Sequence, residues 1–126
     1  MKALSVKQPF ASLISTGVKS IEIRSWKTNY RGPLLICSGR SLHSIRPIAV
    51  EGLPRGVTIC TVELADCRPL TRENCVLGCV PWGPEREGEF AWVLTNPVPT
   101  KHIPIAGKLG LFQVDESQLD LFGSAS

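Results

Sequence analysis

The chain contains no unbroken apolar stretch approaching the roughly 18 residues of a transmembrane helix, no internal repeat and no low-complexity block. A helical membrane span and a repeat array are thereby excluded, and a soluble chain with no membrane partner is expected. Histidine is scarce: His43 and His102 stand at no finger-like spacing. Cysteine is present but odd in number, at Cys37, Cys60, Cys67, Cys75 and Cys79, and no second close pair complements Cys75 and Cys79. A disulfide framework and a zinc site both require more, so reduced thiols serving as small hydrophobes are expected, with no metal and no cofactor. The N-terminus has no leader-like core. Met1-Lys2-Ala3-Leu4-Ser5-Val6 alternates polar and apolar positions and soon reaches Pro9, which reads as a first strand and points to the cytoplasm.

What is present suits one globular domain. The 126 residues, 43% hydrophobic and 20% charged, suffice for a single core and are too few for two. The net charge of +3 is unevenly spread: residues 1–56 carry nine Lys or Arg against two Glu, whereas residues 57–126 carry five against nine Asp or Glu. A positive first half fits a polyanionic partner. It equally fits a solvated surface whose halves neutralise one another in space.

Scattered Gly and Pro cut the chain into short pieces, as in a barrel with many turns. Leu4 to Gln8 reads as a strand. Pro9 suits the first turn of a helix and Gly17 its C-terminal end, with Phe10, Leu13 and Ile14 forming one apolar face. Ile21 and Ile23 alternate with Glu22 and Arg24, so the next strand has a charged face on which Glu22 and Arg24 point the same way. Further strands are expected at Pro33–Ser38, Val57–Ala65, Phe90–Thr95 and Leu109–Val114, with Asn96-Pro97 as a turn. Residues 40–56 combine helical spacing with an interrupting Pro47, and the last four residues look frayed.

The stretch LSVKQPFASLISTGVKSIEIRSWKTNYRGPLLICSG resembles the ASCH family. That family shows a strand ending in Gln-Pro-aromatic-Ala, a short helix closed by Gly, Lys-x-x-Glu-x-Arg-x-Trp, and Arg-Gly before an apolar strand. Here Gln8, Pro9, Phe10, Ala11, Gly17, Lys19, Glu22, Arg24, Trp26, Arg31 and Gly32 occupy those places, and CTVELADC, FAWVLTNP and IAGKLGLFQV are similar to the later strands. The ordered combination is far more specific than any one element. The resemblance implies an α+β, mainly β fold: a small PUA-like β-barrel with flanking short helices over residues 1–117, followed by a C-terminal tail at 118–126. It also implies a basic cleft for RNA or a modified nucleoside.

Each residue of the motif also has a plainer reading. Glu22 and Arg24 suit a simple ion pair on a strand face. Gln8 either ties down the adjacent loop or reads a base edge. Lys19, Arg24 and Arg31 are the expected phosphate ligands, converging on one positive face. Trp26 is the stacking candidate, with Tyr30 also possible, whereas Trp92 lies in an apolar run and belongs to the core. Lys108 suits a phosphate contact or a solvated turn.

By the same resemblance, catalysis stays open. Some members are amidohydrolases acting on 4-acetylcytidine, and others are ribonucleases. In the amidase type the motif reads Lys-Thr-x-Thr-x-Arg, the second Thr being the nucleophile. The aligned residues here are Lys19, Ser20, Glu22 and Arg24, so Glu22 takes the nucleophile's place. A carboxylate is a poor acyl-transfer nucleophile but an able general base for water, with Lys19 or Arg24 facing the oxyanion. Ser20, expected on the same face, offers the remaining hydroxyl.

Overall fold

β1 (Lys2–Gln8) begins the fold and buries Ala3, Leu4, Val6 and Gln8 while Lys7 stays exposed. The computed structural model describes residues 1–42 and 52–123. β1 pairs in parallel with β3 (Gly32–Leu42) and, over Lys2 to Leu4 only, antiparallel with β6 (Leu111–Gln113). Alternation then sorts the core: Leu4, Val6, Leu34 and Ile36 enter the main cluster, whereas Ala3, Leu35 and Cys37 join Phe112 and Leu121 in a smaller one. Leu121 belongs to the segment expected as a tail. Its carbonyl also accepts a hydrogen bond from the Lys101 N–H, and residues 124–126 lie outside the described residues.

Between β1 and β3 run α1 (Phe10–Ser15) and β2 (Ile21–Arg24). Phe10, Ala11 and Ile14 bury one helix face while Leu13 packs at its margin. Gly17, at φ +81°, turns the chain as the expected helix stop, and the Lys19 N–H closes back on the Leu13 carbonyl at 3.0 Å. β4 (Thr58–Pro69) and β5 (Phe90–Pro99) complete a six-stranded sheet of order β2-β5-β4-β3-β1-β6. A four-residue helix, α2 (Asn74–Leu77), lies between them. It was not expected, since four residues show no period.

Two expectations need correction. Asn96-Pro97 does not end a strand: β5 continues through it as a bulge, with Asn96 at φ +54° and a register shift opposite Thr61 and Glu63. Leu109 does not begin one either, because it is wholly exposed and β6 starts only at Leu111. The unassigned tract 40–56 falls largely outside the described residues, at 43–51.

The sheet stays open, so the barrel is approximate. β2 and β6 are its two edges and do not pair with each other. Because β6 pairs only as far as Leu4, β1 from Ser5 onward has no strand paired on that side among the described residues. The seam thus left between β2 and the outer edge of β1 is where the cleft lies. No helix among the described residues is long and apolar enough to cross a membrane.

Candidate functional site

A cleft of about 380 Å³ occupies the seam. β1 contributes Ser5, Val6 and Lys7; β2 contributes Glu22, Ile23 and Arg24; the end of β3 adds Arg40, the 84–86 turn adds Arg86, and the approach to β6 adds Lys108 and Leu109. Phe10 and Lys19 form its floor. Among the described residues, six cationic side chains and one carboxylate, Glu22, line the cleft, and such a concentration of one sign in a concave site favours anions.

Glu22 is buried between two cations. Its Oε1 lies 3.5 Å from Lys19 Nζ, while its Oε2 accepts from Arg24 Nε at 2.9 Å and lies 2.9 Å from Arg24 Nη2. Lys19, only 2% exposed, also donates to the Gly78 carbonyl and sits 4.7 Å above the Phe10 ring. Burial lowers its pKa from the ordinary value, and Glu22 opposes that shift. Gly78 is fixed by space as well as by this bond: a Cβ there would stand 2.9 Å from Ile23 Cδ1. The end of α2 is thereby pressed against β2, directly beside the cluster.

Arg24 crosses the seam. Its Nη2 donates to the Ser5 carbonyl at 2.6 Å, satisfying an edge acceptor that β6 leaves unpaired. The expected pairing of Glu22 with Arg24 is present, and with Lys19 it forms one connected set of three side chains in the cleft.

The other expected site residues lie elsewhere. Arg31 does not line the cleft; its guanidinium donates to the Thr28 and Tyr30 carbonyls at 3.0 and 2.8 Å and lies 3.5 Å from Asp66, tying the β2–β3 loop to β4. Arg31 thus does not join Lys19 and Arg24 in lining the cleft, because its guanidinium is engaged by its own loop. Gln8 is fully buried: its amide donates to Ser12 Oγ and the Pro54 carbonyl and accepts from the Ser12 N–H. It is a tie, as its plainer reading held. Trp26 meets Trp92 edge to face at 4.7 Å and does not line the cleft; Trp92, with no exposure, is core. Ser20 lines a separate depression beside Thr95, Asn96 and Pro97 and is not among the residues that line Glu22's cleft.

The sequence reading missed Lys7, Arg40 and Arg86. Lys7 was legible, as it alternates outward on the motif strand, whereas Arg86 arrives from a loop whose path no local pattern encodes. Among the described residues, no three His, Cys, Asp or Glu side chains are grouped to hold a metal ion. The five cysteines are free, and burial pushes the Cys37 and Cys60 thiols up to about 12.

Comparison with known proteins places this geometry in context. A model of the ASCH domain matches residues 4–103. Activating signal cointegrator 1 of Homo sapiens is 40% identical over 81 residues, covering 61% of this chain and 13% of that protein. The Mus musculus protein of the same name is 38% identical over the same span. The match thus spans 13% of the length of these curated relatives. Among solved structures, ASCH from Zymomonas mobilis superposes with a TM-score of 0.66 at 14% identity, covering 92% of this chain and 88% of that one. A point mutant of that protein gives 0.63 at 16%, covering 91% and 90%. At such identities the likeness is one of fold.

Proposed function

Because the chain belongs to the ASCH-domain family, we propose that its cleft binds a nucleotide unit of RNA, or a modified nucleoside, and leaves it chemically intact. The observation that carries this reading is the state of Glu22. Both of its oxygens face cations, Lys19 at one and Arg24 at the other, so it serves to hold two positive groups in place more readily than to take a proton from water. The surrounding cations Lys7, Arg40 and Lys108, with Arg86 held beside them by Glu89 and the Pro81 carbonyl, suit phosphate oxygens, which position a strand without reading its sequence. Glu22 stands where the amidase nucleophile would be, and Ser20 lines another depression.

The test is direct. Purified protein is titrated with short RNAs and with 4-acetylcytidine, and the recovered ligands are weighed by mass spectrometry. Salt-sensitive binding with unaltered ligands is expected. Release of acetate, or cleaved RNA, would replace this reading with the hydrolase one.

A further inference from the structure

A second cavity, of about 420 Å³, adjoins the first and shares Ser5, Gly39, Arg40, Lys108 and Leu109 with it. Between them runs a short segment, Gly107-Lys108-Leu109-Gly110, with a glycine at each end. Gly107 lies so close to β1 that a Cβ on it would meet Ser5 Oγ at 2.3 Å. Gly110, at φ +66°, takes a left-handed turn beside Trp26, whose ring atoms would lie 3.9 Å from a Cβ there. Between these glycines Leu109 is completely exposed, and Lys108 is exposed beside it.

Building on the proposed nucleotide reading, we infer that the two cavities are successive subsites of one groove for a phosphodiester-linked strand, with Leu109 as the apolar divider between adjacent nucleotides. The charge supports this. Lys19 and Arg24 are matched by Glu22 and Arg86 by Glu89, whereas Arg40 and Lys108 border both cavities and so flank the place where a linking phosphate would lie. The exposed leucine supports it independently. A large apolar side chain held out between two glycines, where Arg40 and Lys108 also line both cavities, offers a base or ribose face a contact that water cannot, as non-aromatic wedges do at other nucleic-acid sites.

The experiment compares cytidine 5′-monophosphate with a cytidine dinucleotide of the same terminal phosphate, by calorimetry on wild type, Leu109→Ala and Lys108→Ala. For wild type the dinucleotide is expected to bind about tenfold more tightly. Leu109→Ala should bring the ratio of the two affinities close to one, and Lys108→Ala should reduce the salt slope of dinucleotide binding by about one. Equal affinities in wild type, or a ratio that Leu109→Ala leaves intact, would overturn the two-subsite inference while leaving the nucleotide reading in place. Failure of both ligands to bind would overturn the nucleotide reading itself.

Discussion

Arg24 reaches across the open seam of the sheet to the carbonyl of Ser5, 2.6 Å away, and the same guanidinium grips Glu22. One side chain thus does two things: it substitutes for the backbone pairing that β6 does not supply beyond Leu4, and it fixes the carboxylate at the centre of the cleft. Fold closure and site geometry are therefore coupled at a single residue.

Arg24→Ala should reveal that coupling. It strips Glu22 of one partner and leaves the Ser5 carbonyl to water, a loss of about 1–3 kcal/mol given that Arg24 is partly exposed. Chemical denaturation would measure it, and RNA affinity should fall in parallel. Arg24→Lys, a point charge without the fork, should recover only part of either. A variant of full stability with undiminished affinity would break the proposed link.

Much of this was legible in the sequence. The strands with strong alternation or long apolar runs, β1 to β5, lie where composition and period put them, and Gln8, Lys19, Glu22 and Arg24 could be named from the motif. What could not be read was destination. Arg31 shares the motif with Arg24, yet its guanidinium caps the carbonyls of its own loop, and Trp26 turns into Trp92. Side-chain direction in a loop depends on partners distant in sequence, such as Asp66 for Arg31, and no local spacing encodes them. The Asn96-Pro97 bulge was hidden for a related reason, since its turn chemistry is absorbed into a strand by pairing with β4.

The cleft and the Arg31 loop should separate in a binding experiment. Arg86→Ala and Lys7→Ala each remove a cation from the cleft and should weaken RNA binding at all sequences, with a salt slope reduced by about one. Arg31→Ala should leave affinity within about twofold and lower stability by at most about 1 kcal/mol, because its Asp66 contact is long and exposed. A salt slope that falls with Arg31→Ala would return that residue to the interface.

Alkaline pH should act through two opposed groups. Burial raises the Cys37 and Cys60 thiols from 9.0 to about 12. The unfolded chain therefore loses those protons first, and stability falls as pH climbs through that window, by roughly 1 kcal/mol per thiol per pH unit. Lys19 works the other way. Its folded pKa lies below the ordinary 10.5, so the unfolded chain holds the proton longer and stability gains as pH rises towards 10.5. Denaturation of Cys37→Val/Cys60→Ala at stepped alkaline pH should remove most of the decline, and Lys19→Met should steepen it relative to wild type. An unchanged profile in Lys19→Met would mean that the folded environment leaves this ammonium unperturbed.

Glu22→Gln separates binding from catalysis most sharply. The substitution keeps shape and removes charge, so the cleft loses the carboxylate between Lys19 and Arg24. It does not simply become more attractive to phosphate, since Lys19 is 2% exposed and burial already disfavours its ammonium. Without Glu22 that ammonium loses its main support, and its positive charge is surrendered more readily. Arg24 keeps Ser5 but loses the oxygen that sets its plane. Affinity for RNA should consequently fall, by about tenfold or less, with every ligand recovered intact from both proteins. Under the hydrolase reading the outcome is reversed: wild type turns over 4-acetylcytidine or RNA, and Glu22→Gln loses on the order of 100-fold or more in rate at nearly constant affinity. A melting curve confirms that the variant is folded before either is measured. Turnover abolished at unchanged affinity would make Glu22 a general base; affinity lost without any turnover to lose makes it the clasp between Lys19 and Arg24.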